Sequence, residues 1–117
     1  DINPRREGHT LVVPKEEKQR LAELSPESRA GLMDGIAEVQ RRLGAVFDTT
    51  DFTLVLHDGP LAGQEVPHVH FHVMPRTAGD GGLCAGMAAF PKAPPMGSVE
   101  PDFKALAALS EKLQAIE

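Results

Sequence analysis

The segment His68-Val69-His70-Phe71-His72-Val73 alternates imidazole and apolar side chain without a break. A helix would scatter the two kinds around its axis. An extended strand separates them, because successive side chains point to opposite faces. Read as a strand that Pro67 leads into, running to Met74 and stopped by Pro75, the segment puts His68, His70 and His72 on one face, each about 6.7 Å from the next. Val69, Phe71 and Val73 then face a core. The chain must therefore build a sheet with one covered face and one face carrying imidazoles. Imidazole suits nucleophilic, acid–base and metal chemistry near neutral pH.

Other segments supply what covers the sheet. Ser25-Pro26 is a helix start, with serine as N-cap and proline at the first helical position. Leu32, Met33, Ile36, Val39, Leu43 and Phe47 then recur at helical spacing, which predicts an amphipathic helix from Pro26 to about Phe47. A second helical pattern runs through Phe103, Leu106, Leu109, Leu113 and Ile116. Lys15 to Leu24 reads as charged and moderately helical. Short strands are expected at 8–14, closed by Pro14, and at Phe52 to Leu56. The loop His57-Asp58-Gly59-Pro60-Leu61-Ala62-Gly63-Gln64 is too short for a crossover, so the strands on either side are antiparallel neighbours. The expected class is α+β, an antiparallel sheet with a long helix and a C-terminal helix. At 117 residues the chain is one domain over 1–117, with a flexible glycine- and proline-rich loop at 77–100 and a helix over 101–117.

Composition excludes some partners. A formal charge of −5 speaks against an extended nucleic-acid interface, which needs a basic stripe. No apolar run approaches the ~20 residues of a membrane span. The single Cys84 cannot form an intrachain disulfide and fits a reducing, cytoplasmic compartment. The first residue is Asp1 rather than Met, so a preceding segment is expected. A short sheet with an exposed edge also points to a homodimer.

Three chemistries compete for the histidines. They are structural, each buried ring nitrogen finding a partner. They hold a metal, in which case two of them are completed by His57 or His9. Three rings spread along ~13 Å of strand do not otherwise converge on one ion at ~2.1 Å. Or one imidazole attacks phosphorus while its neighbours orient it, donate to phosphate oxygens and protonate the leaving group. That last chemistry needs no cofactor. The turns at Gly59 and Gly63 then aim backbone N–H groups at an anion.

The run Gly63-Gln64-Glu65-Val66-Pro67-His68-Val69-His70-Phe71-His72-Val73-Met74-Pro75-Arg76 resembles the signature of the histidine triad (HIT) superfamily. The flanking Asp58-Gly59-Pro60 and Thr77-Ala78-Gly79-Asp80 look most like its fragile histidine triad branch and the bacterial HIT hydrolases. Asp1-Ile2-Asn3-Pro4 and Gly8-His9-Thr10-Leu11-Val12-Val13-Pro14-Lys15 resemble the family's strands ahead of the long helix. The resemblance implies a homodimeric nucleotide hydrolase or transferase. Its substrate would be a dinucleoside polyphosphate or related nucleotide conjugate, cleaved at the α-phosphate to release a monophosphate such as AMP. It implies His70 as nucleophile, forming a covalent nucleotidyl-histidine, with its other nitrogen donating to the His68 carbonyl. His72 would contact phosphate oxygens near the leaving group, with His68 and His9 supporting from behind. Gln64 and Glu65 would face the phosphates, and Asp1 the ribose hydroxyls. His57 stands where the family usually carries Asn or Gln. That departure keeps a second expectation open: a nucleotide-binding adaptor or sensor with little turnover.

Overall fold

The computed structural model describes residues 7–80 and 102–117. Three strands, β1 (Thr10–Val12), β2 (Phe52–Leu56) and β3 (Phe71–Pro75), form one sheet in the order β1-β3-β2, antiparallel throughout. The histidine segment is thus central. Leu11 and Val55 flank His72 on either side, and Thr10 and Leu54 flank Val73. By the pleat, Val73 faces one side of the sheet and His72 the other.

The long helix α1 (Pro26–Phe47) covers the Val73 side. The Ser25 side chain accepts from the Ser28 N–H, Pro26 opens the helix, and Asp48 ends it in a left-handed conformation. One apolar stripe, Leu32, Ile36 and Leu43, is buried against Val69 and Val73, with Leu24 completing the cluster. Val12, Phe52, Leu56 and Phe71 pack around it. The expected helix and its core face both form. The C-terminal helix α2 (Phe103–Gln114) is capped by Asp102 and touches the core through Leu113. Arg41 and Arg42 of α1 donate to the Glu117 and Leu113 carbonyls, which ties the end of the chain to α1. Cys84 and most of the loop expected at 77–100 lie outside the described residues.

Two local expectations change. Lys15 to Leu24 forms only a 3-10 turn at Leu21–Glu23. The rest is an irregular, bent strap between β1 and α1, with the Lys18 and Gln19 carbonyls taken by the segment beside it. The same exchange shortens the histidine strand. Val69 N–H donates to the Lys18 carbonyl at 2.8 Å rather than to a neighbouring strand, so the ladder begins at Phe71. The alternation still extends beyond the ladder, since Val69 is buried in the same core as Val73.

Candidate active site

His72 is the hub of an imidazole cluster on the sheet face opposite α1. Its ring centroid lies 5.0 Å from His9, 5.2 Å from His70 and 5.5 Å from His57. The three neighbours arrive from three strands: His9 precedes β1, His70 precedes β3, and His57 follows β2. The sheet order therefore assembles a site from positions far apart in the chain.

Carbonyl oxygens only accept, so they fix the proton on each ring nitrogen that reaches one. His70 Nδ1 lies 2.7 Å from the His68 carbonyl and donates to it. The neutral ring then carries its lone pair on Nε2. His68 Nε2 donates to the Pro14 carbonyl at 2.9 Å. His57 Nδ1 donates to the Ala62 carbonyl at 2.8 Å. His9 Nε2 and His72 Nδ1 share a 2.8 Å hydrogen bond, and His9 is only 3% exposed, which locks the His72 ring from behind.

The loop after β2 is a tight, glycine-dependent structure. Gly59 has φ +103° and ψ 156°, a region open essentially to glycine, and Gly63 closes the 3-10 turn Pro60–Ala62 at φ +98°. A side chain at Gly63 would stand 3.2 Å from His57 Nδ1, so the bare backbone is what lets the imidazole lie across it. Gln64 is buried beneath this loop. Its Oε1 accepts from the Gly59 N–H at 2.9 Å, and its Nε2 donates to the Gln19 and Val66 carbonyls at 2.9 and 3.0 Å. The amide is spent on the loop rather than turned toward a ligand. Glu65 beside it is exposed. Asp1 lies outside the described residues.

The sequence reading missed the strap as a structural partner of this site. Pro14 O receives His68, Lys18 O receives Val69, Gln19 O receives Gln64, and the Leu21 N–H donates to Asp58 Oδ1 at 3.2 Å. No side-chain pattern announces such bonds. After β3, Arg76 pairs with Asp80 through two bonds of 2.8 and 3.0 Å and donates to Thr53, so it braces the strand end. Among the described residues, no group of three or more His, Cys, Asp or Glu side chains is placed to hold a metal ion. Nor is any described helix long and apolar enough to cross a membrane.

The family model for the HIT domain matches residues 1–79, which includes every histidine of the cluster. This chain belongs to the HIT domain family. Its relatives include an uncharacterized HIT-like protein of Methanocaldococcus jannaschii, 46% identical over 69% of this chain and 62% of that protein. The adenosine 5'-monophosphoramidase of Schizosaccharomyces pombe is 35% identical over 80% of this chain and 68% of its own length. The asymmetrical bis(5'-nucleosyl)-tetraphosphatase of the same yeast is 36% identical over 68% of this chain and 44% of its own length. Among solved structures, the NitFhit protein of Caenorhabditis elegans superposes with a TM-score of 0.75 at 30% identity, covering 99% of this chain and 24% of that one. This HIT-domain chain thus spans under two thirds of several of its relatives, and the fold expected from its sequence is the one these neighbours share.

Proposed function

We propose that this HIT-domain protein is a nucleotide hydrolase that cleaves a nucleotide conjugate at its α-phosphate through a nucleotidyl-histidine. The observation that carries the reading is the 2.7 Å bond from His70 Nδ1 to the His68 carbonyl. It fixes the tautomer whose Nε2 lone pair attacks phosphorus, beside a second imidazole, His72, 5.2 Å away. A bond forms between His70 Nε2 and phosphorus as the bond to the leaving group breaks. Water then attacks the phosphoryl-imidazole, releasing the monophosphate and restoring His70. His72 donates to the phosphate oxygens, held in register by His9. His68 anchors the nucleophile's carbonyl by its own bond to Pro14. Gln64 acts by holding the loop, while Glu65 and Asp1 are assigned to substrate by resemblance.

Relatives named for AMP phosphoramidate and dinucleoside tetraphosphate hydrolysis favour an AMP-releasing reaction. The chemistry asks for no cofactor. The working unit is a homodimer in the cytoplasm.

The test is His70→Ala, assayed for AMP release and for covalent labelling by radiolabelled adenylate. Release should fall by roughly 1,000-fold or more, with labelling lost and nucleotide binding retained. A variant keeping a tenth of wild-type activity, a barrier change of about 1.4 kcal/mol, overturns the covalent reading.

A further inference from the structure

His57 sits in the same cluster as the proposed nucleophile, and the sheet register says where. Val55 is opposite His72 and Leu56 opposite Phe71. One step beyond the ladder, His57 falls opposite His70, on the face that carries His72. The three imidazoles make a triangle, with His70 on the β3 side, His57 on the β2 side and His72 at the third corner, 5.2 and 5.5 Å from the others. A phosphoryl group seated between them meets His70 from one side and His57 from the other. An in-line displacement needs nucleophile and leaving group on opposite sides of phosphorus, and two histidines on neighbouring strands offer one group for each side.

Building on the covalent reading above, we infer that His57 is the proton donor to the leaving group, which fits the site to conjugates whose leaving group is a poor one, such as an alkylamine. The bond from Nδ1 to Ala62 locates the exchangeable proton on Nε2, since Nδ1 keeps its own in both charge states. In the first step His70 Nε2 bonds to phosphorus. The bond from phosphorus to the amine nitrogen breaks, and that nitrogen takes the proton from His57 Nε2. Neutral His57 then accepts a proton from the attacking water, which bonds to phosphorus as His70 Nε2 leaves. Atoms and protons balance over the cycle. His57 ends as it began.

The groups around His57 suit this role. His72 meets it edge-on from β3 at an interplanar angle of 73° and also contacts His70 and the buried His9. Asp58, its sequence neighbour, has one carboxylate oxygen turned to the Leu21 N–H. Glu65 is exposed on the same loop, and Arg20 lies over Gly59. An anionic substrate seated beside these groups favours a protonated ring over a neutral one.

Two substrates test the assignment. The 4-nitrophenyl ester of AMP releases an anion that departs without a proton. A primary-alkylamine phosphoramidate of AMP releases its amine only once protonated. His57→Gln should lose at least tenfold more kcat/KM on the amidate than on the ester, within a total effect of roughly 100- to 10,000-fold on the amidate. In the wild-type protein the amidate-to-ester rate ratio should fall as pH rises, because only the amidate consumes a proton, and this arm stands even where the variant does not fold. Equal losses on both substrates, or a wild-type ratio flat with pH, overturn the inference and leave the covalent reading standing. A His70→Ala protein that still releases AMP from either substrate overturns both.

Discussion

Replacing Gln64 by alanine separates two roles that a polar residue beside a phosphate site can have. The side chain makes three hydrogen bonds in a site that is 9% exposed. Removing it strands the Gly59 N–H, which lies in a buried residue and costs about 1–3 kcal/mol to leave without an acceptor. The Gln19 and Val66 carbonyls are closer to solvent, and water replaces their donor at about 0.5 kcal/mol each. The expected loss is therefore about 2–4 kcal/mol, read by urea unfolding at fixed protein concentration. Faster amide exchange at Gly59 should accompany it, because the loop opens first. Gln64→Glu sharpens the test. It keeps the acceptor for Gly59 but turns a carboxylate on two carbonyls, so it should destabilise as much as alanine despite its size. A Gln64→Ala protein within 1 kcal/mol of wild type, with KM raised and exchange unchanged, would refute the structural role and return Gln64 to the substrate.

Two further perturbations probe the frame. Hydrogen bonds from Arg41 and then Arg42 hold the Glu38 carboxyl down to about 2. A depressed carboxyl contributes stability above its unfolded value of about 4.3 and loses it as pH falls toward 2. Carboxyl NMR should find the Glu38 midpoint near 2, with α2 loosening from α1 over that window; a midpoint near about 4 refutes it. Leu43→Ala empties a position that is 0% exposed between α1 and the sheet and should cost about 2–5 kcal/mol in chemical denaturation. A loss under about 1 kcal/mol would mean that the core closes over the gap.

Where the sequence was read through short-range rules, it was read well. Ser25-Pro26 marks the start of α1 because capping is a contact within three residues, and the Leu32–Leu43 stripe marks its buried face because packing repeats at the helical period. The alternation at 68–73 likewise sorted Val69 and Val73 into the core and His72 onto the opposite face. Long-range pairings were not legible. The bond between His9 and His72 joins residues 63 apart, and only the sheet order brings them together. The charged run at 15–24 looked helical because its composition favours helices. Its backbone groups were already committed to the loop and to Val69, and tertiary bonding overrode propensity. Gln64 was expected to face the phosphates from the resemblance alone, and nothing in its local sequence announces the three bonds that its amide makes to the loop and the strap.

Every bond that the strap gives the site uses a main-chain atom: the carbonyls of Pro14, Lys18 and Gln19, and the amide of Leu21. Its spelling can therefore drift while its spacing cannot. Exchanging a strap residue for another that keeps the backbone path leaves all four atoms where they are. Deleting one residue displaces the following ones by about 3.3 Å, more than the length of any bond they make. The tolerance of this stretch is thus set by how many residues it has rather than which ones. Two proteins with unrelated letters there can brace the same histidines equally well, while near-identical ones that differ by a single gap cannot.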